Sequence, residues 1–205
     1  MSKLDLKREY KDLYSASAKE VRVVAVPPLS YLMVDGSGDP NGNADYGAAI
    51  EALFSLSYAL KFAIKKGPVR LDFAVMPLEG QWWVEDLKGF SYTERSGWRW
   101  TAMILQPSAV TADLVAEQSA AVAKKKNPTA LPLVRFAELV EGPSAQILHL
   151  GPFSEEPTTI ERLHAEITAQ GLRPVGKHHE VYLSDVSRTA PEKLRTILRQ
   201  PVAPA

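Results

Sequence analysis

One succession of elements occurs twice along these 205 residues, and few folds accommodate it. In the first cycle residues 30–35 read as a strand and residues 36–42, GSGDPNG, as a dense turn cluster. The pattern predicts a helix over 44–66. Asn43 suits its N-cap, Asp45 its positive start, and Lys65, Lys66 and Gly67 its end. Tyr46, Ile50, Leu53, Ser57, Leu60 and Ile64 line one face of that helix. Residues 69–76 read as a strand with residues 77–80 at its end. Residues 82–84 extend it, residues 86–96 form a polar hairpin connection, and residues 98–106 form the next strand. In the second cycle residues 146–150 are a strand and Gly151-Pro152 a turn. Residues 154–170 are a helix with Ile160, Leu163 and Ile167 inward and Gly171 as its stop. Residues 177–183 are a strand, and residues 194–198 are apolar.

Strand, turn, helix, strand, strand, twice over, implies a duplicated β-α-β-β unit. Paired units would make an α+β fold, with one continuous antiparallel sheet and helices on one face. The ligand cleft is expected on the other face, or at the seam between the units. The expected organisation is an N-terminal helical segment over 1–20 and one domain over 21–205, its units at about 30–106 and 145–199. Leu6, Tyr10, Leu13 and Tyr14 recur at helical spacing and suggest a short amphipathic helix over residues 3–14. Residues 111–126 read as an alanine-rich helix ending in three lysines, which suit a solvated helix end better than a nucleic-acid patch. Residues 131–139 are apolar and of undetermined state.

Composition limits the function classes. With 45% hydrophobic residues the chain can bury a sizeable core. Its 24 basic and 24 acidic residues balance, which argues against nucleic acid, whose binding rests on clustered Lys and Arg. Without cysteine there is no disulfide, thiolate nucleophile or cysteine metal site. No apolar run is expected to reach the length of a membrane span, and the first residues lack the apolar core of a signal peptide. A soluble cytoplasmic protein is the expectation.

The strand over 178–183 has an unusual stripe. Side chains alternate between faces, so His178, Glu180 and Tyr182 share one face while His179, Val181 and Leu183 share the other. Either this is a solvated edge with an apolar back, or Glu180 sits at the centre of a pocket floor. All four tryptophans, Trp82, Trp83, Trp98 and Trp100, lie within 19 residues. They are either core packing or an aromatic wall for a flat ligand, the wall taking Trp100 and one of Trp82 and Trp83. Glu155 and Glu156 begin the second helix, where carboxylates are favoured by the helix dipole. His178 and His179 point opposite ways and cannot share a metal. No metal-ligand spacing occurs on a helix, so no metal or cofactor is expected. Ser184 and Asp185 lack a nucleophile elbow and suit a turn.

Four ordered stretches carry a family resemblance. They are HHEVYLSD at 178–185 with RTAPEKL at 188–194, YLMVDGSGDP at 31–40, PLEGQWW at 77–83, and HLGPF at 149–153. Together they resemble the GyrI-like small-molecule-binding family in its stand-alone form, and the resemblance covers nearly the whole chain. It implies the same pseudo-symmetric architecture and an inward glutamate near the pocket centre. Glu180 fits that role best. Glu79 is either its counterpart or a structural residue. Tyr182, His178, Trp82, Trp83, Trp100, His149, Phe153 and Glu79 are the expected ligand-binding residues.

Stand-alone members resembling this chain include hydrolases of cyclopropanoid genotoxins that use paired acidic residues. The resemblance therefore implies Glu180 as general base and Glu156 as its partner, with Tyr182 or His178 serving the oxygen on which charge develops. The alternative is binding or sequestration of drug-like hydrophobic or cationic ligands without turnover. Many members are fused to a DNA-binding helix-turn-helix, for which the single short N-terminal segment leaves no room. A protein target such as DNA gyrase is a third reading, suggested only by the family's name.

Overall fold

Period-two alternation along the strands and period-3.6 patterning along the helices sort the side chains of this chain onto two faces of one sheet. The computed structural model describes residues 2–85 and 96–205. In chain order its elements are β1 (Ser2–Leu4), α1 (Leu6–Glu9), α2 (Lys11–Tyr14), β2 (Arg22–Val26), β3 (Leu29–Ser37), α3 (Ala44–Lys66), β4 (Leu71–Phe73), β5 (Glu79–Trp83) and β6 (Arg99–Leu105). There follow α4 (Ala112–Lys125), β7 (Arg135–Leu139), β8 (Gly142–Leu150), α5 (Glu156–Ala169), β9 (Leu172–Pro174), β10 (His178–Tyr182) and β11 (Arg195–Pro204).

The main sheet runs β2-β8-β11-β10-β5-β6-β3-β7, with β9 also pairing β11, and every ladder in it is antiparallel. The first unit supplies β3, β6 and β5, and the second supplies β8, β11 and β10. The units therefore meet at β5 and β10, where His178 pairs Trp82, Glu180 pairs Gly80 and Val181 pairs Glu79. The duplicated β-α-β-β reading matches this layout. Each outer strand is exchanged: β2 precedes the first unit but pairs β8, and β7 precedes the second but pairs β3.

Several local expectations change. The strand expected over 69–76 is only β4, which pairs β1 in a separate parallel ribbon, and β5 takes the place in the main sheet. The N-terminal segment is a strand and two one-turn helices rather than one helix. Residues 131–139 resolve into a 3-10 turn followed by β7. The expected hairpin connection at 86–96 falls almost wholly outside the described residues. Helix α3, with mean hydropathy 1.4, is long and apolar enough to cross a membrane by length and composition, contrary to the expectation that no such run exists. Here it lies on the sheet through Leu53, Leu56, Leu60 and Ile64, all at most 3% exposed.

Helices α3 and α5 sit on the same face, the one bearing Trp100, Ala102, Glu180 and Leu198. Helix α5 packs Leu163 and Ile167 on Ala145, Ile147 and Leu198. Gly36 makes room for Trp100 in the other half: a Cβ there would lie 2.1 Å from the indole ring.

The opposite face is covered by the N-terminal segment and carries a buried ionic cluster. His179 Nε2 lies 3.0 Å from Glu79, and its Nδ1 lies 2.9 Å from Glu141. The Tyr14 and Tyr31 hydroxyls donate to Glu79 at 2.5 and 3.3 Å. Arg199 lies 3.8 Å from Glu141 and donates to the Leu13 carbonyl at 2.6 Å. Burial alone would depress the His179 pKa. The charge and hydrogen bond of Glu141 and the hydrogen bond of Glu79 overcome it and raise the value to about 9. Tyr14 and Tyr31 are pushed well above 10 by burial and by Glu79, so they stay neutral.

A raised pKa in the folded state means that the contribution of His179 to stability is complete below its ordinary value of 6.5. It is lost as pH climbs through about 9. Urea unfolding across that window should show a loss of up to about 3 kcal/mol. The His179→Gln variant should lack this slope; an unchanged slope in the variant would place the titration elsewhere.

Candidate functional site

Two parallel rows of side chains face each other across the seam. On β10, His178, Glu180 and Tyr182 point to the helical face, stepping about 6.6 Å per pair of residues. On α5, Glu156, Ile160 and His164 recur every four residues, about 6 Å apart along the axis. All six border one cleft of about 1760 Å³. Tyr46, Ile50 and Phe54 of α3 form the facing wall, and Trp82, Trp83, Trp98 and Phe153 complete an aromatic lining. The cleft thus occupies the seam, between the two helices and on the same face as them. It does not lie on the opposite face, because the N-terminal segment fills that side.

Glu180 is held by a relay. Trp82 Nε1 donates to the Tyr182 hydroxyl at 3.0 Å, and that hydroxyl donates to Glu180 Oε2 at 2.7 Å. His178 Nε2 lies 3.3 Å from the other carboxylate oxygen. The Glu180 side chain keeps 12% of its surface exposed, so it is sheltered yet open to the cleft. Gly80, its partner across the ladder, is required by this relay. A Cβ there would fall 2.9 Å from Trp82 Nε1 and 3.0 Å from the Tyr182 hydroxyl.

The electrostatics tie the rows together. Burial first, then the charge of Glu180, the neighbouring Tyr46 and the charge of Glu156, push Tyr182 well above the usual phenol range. Tyr182 is therefore a donor and not a base. Burial and then Glu180 raise Tyr46 likewise. Burial followed by His178 holds His164 below the ordinary imidazole value. At the rim Lys177 Nζ sits 3.3 Å over the Trp83 ring.

Of the residues singled out in the sequence, the cleft gathers Glu180, Glu156, Tyr182, His178, Trp82, Trp83 and Phe153. Three others lie elsewhere. Glu79 alternates onto the far face, fully buried among Tyr14, Tyr31 and His179. Trp100 lies beneath the cleft wall at 1% exposure, its ring edge-on to Tyr46 at 4.9 Å. His149 is a pin: its Nδ1 pairs with Thr159 Oγ1 at 2.9 Å, and its Nε2 pairs with the Pro152 carbonyl at 3.2 Å, fastening the turn to α5. Glu155 is exposed outside the cleft. Tyr46, Phe54, Ile160 and His164 were missed. The spacing 156, 160, 164 was a readable signal for two of them.

Among the described residues no cluster of His, Asp and Glu has the arrangement to hold a metal ion. What the cleft offers is two carboxylates, two imidazoles and a phenol inside aromatic walls. A model of the GyrI-like small-molecule-binding domain matches residues 19–203. An uncharacterized conserved protein from Listeria innocua is 38% identical, with a TM-score of 0.90 over 98% of this chain and 100% of that one. A hydrolase from the same organism is 37% identical, with a TM-score of 0.88 over the same shares. The EcmrR C-terminal domain, at 10% identity and a TM-score of 0.55 over 91% of this chain and 98% of that one, shares the fold. No curated protein matches the chain.

Replacing Tyr182 by Phe should cost about 1–3 kcal/mol in urea unfolding, because Trp82 Nε1 and Glu180 both lose a partner in a sheltered site. A variant as stable as the parent would show that the relay adds nothing to the fold.

Proposed function

This chain belongs to the GyrI-like small-molecule-binding family, and from that premise we propose that it is a hydrolase of planar aromatic electrophiles bearing a strained cyclopropane conjugated to a carbonyl. Two Listeria innocua relatives, at 37% and 36% identity, are described as hydrolases. The observation that carries the reading is the pair of sheltered carboxylates, Glu180 and Glu156, flanking Tyr182 in one aromatic cleft.

In the proposed reaction the flat ring system lies in the cleft between the α3 wall and α5, excluding bulk water. Glu180 accepts a proton from a water molecule as its oxygen bonds to the cyclopropane methylene. The ring carbon–carbon bond breaks, and its electron pair passes through the conjugated system to the carbonyl oxygen, which gains a proton. The net change is addition of one water. Glu156 orients the water from the helix side. Tyr182, kept neutral, holds the Glu180 carboxylate in place. The strain released and the aromaticity gained are properties of the substrate; the protein supplies the base, the orientation and the apolar enclosure. The reading places the protein in the cytoplasm, with a small hydrophobic or aromatic ligand as partner.

A second reading has its own support. Glu180 and Glu156 are 12% and 6% exposed within apolar walls, an arrangement that attracts a lipophilic cation and needs no turnover. One experiment separates the two. The protein is incubated with a duocarmycin-type cyclopropanoid, and the small molecule is followed by mass spectrometry for addition of water. Turnover is expected in the parent, with a fall of about a hundredfold to ten-thousandfold in Glu180→Gln and binding largely kept. Glu156→Gln should fall less, since orienting water is a smaller task than taking its proton. A parent that binds without adding water favours sequestration, and a Glu180→Gln variant as fast as the parent removes Glu180 as the base.

A further inference from the structure

The two rows that face each other across the cleft end in a pair of histidines, one on each side. His178 closes the strand row and His164 the helix row, and both border the cleft. Their polar atoms are unusual. Neither ring nitrogen of His178, nor Nε2 of His164, has a hydrogen-bond partner among the described residues, although all three are buried. Glu180 Oε1 lies 3.3 Å from His178 Nε2 without forming a hydrogen bond to it. Buried polar atoms are satisfied in nearly all native proteins, and leaving several unsatisfied at one spot is costly. A cleft meant to enclose only hydrocarbon would be better closed there by apolar side chains.

We propose that His164 and His178 form a subsite for an acceptor oxygen on the bound ligand, a carbonyl or phenolate conjugated with its flat ring system. The inference rests on the reading of the cleft as a small-molecule site and goes on to name the chemistry at its far end. A neutral imidazole offers one N–H, and one donor from each wall of the cleft would match the two lone pairs of one oxygen. His164 is suited to the neutral form, since burial and His178 both disfavour its charge. The Tyr182 hydroxyl is less suited, being already committed to Glu180. One strand step, about 6.6 Å, separates His178 from Glu180. Their side chains nevertheless meet, His178 Nε2 lying 3.3 Å from Glu180 Oε1, so a ring system bound at this end passes beside that carboxylate rather than between the two residues. In the hydrolytic reading the water is activated at Glu180 while charge collects on the oxygen between the imidazoles.

The test uses 9-fluorenone and fluorene, flat probes that differ only in a carbonyl in place of a methylene. Binding to the full chain is read by tryptophan quenching. The parent should prefer fluorenone by about tenfold, the worth of a sheltered hydrogen bond. His164→Leu should abolish the preference by weakening fluorenone alone. His164→Gln, which keeps an N–H donor, should retain part of it and also covers the case in which the leucine variant does not fold. Fluorenone should shift the side-chain ¹⁵N resonances of both histidines. Equal affinities in the parent, or a preference that survives His164→Leu, overturn the subsite while leaving the cleft reading intact. If neither probe binds, the cleft reading fails and the subsite with it.

Discussion

The short ladder between β5 and β10 is the contact on which the rest of the molecule depends. It joins the two units into one sheet, and it places different chemistry on its two sides. Glu180 and Gly80 pair toward the helices, with Trp82 and Tyr182 crossing above the glycine. One residue along, Glu79 and His179 point the other way into the ionic cluster. Strand alternation makes this separation obligatory. A one-residue slip would put the buried cluster in the cleft and the candidate site in the core.

The far-face cluster explains why that ladder keeps its register. Glu79, His179, Glu141 and Arg199 come from β5, β10, the β7–β8 turn and β11, so both units and an exchanged edge contribute. Arg199 also reaches the Leu13 carbonyl, which fastens the N-terminal segment over the same face. Charges so deeply buried are tolerated only when all are present, since removing one strands the others. The exchanged strands β2 and β7 add a second lock, because neither unit completes its own sheet edge.

Much of the fold was legible because each unit obeys local rules. Asn43 does cap α3, accepting from the Asp45 amide, and the alternation over 178–183 assigns each side chain to its observed face. Where the reading failed, the cause was non-local. Residues 69–76 look like a strand by composition, yet only three pair, with the chain's own start. His149 and Trp100 carry residue types that suit a pocket; which neighbours they meet is decided by elements far away in sequence. Glu79 could be read either as a counterpart of Glu180 or as structural, and the register of one ladder decides for the latter.

What the sequence determined by itself was the duplicated succession of elements, the family and the faces of individual strands, because these follow from periodicity, capping and ordered motifs. What only the tertiary structure decided was the position of the cleft and its membership. Helix α5 brings Glu156, Ile160 and His164 opposite Tyr182, Glu180 and His178 because eight residues of helix and four of strand span nearly the same length, about 12–13 Å. No stretch of sequence contains that coincidence. It arises when the packing of Leu163 and Ile167 on β8 and β11 sets the helix at the height where the two rows meet.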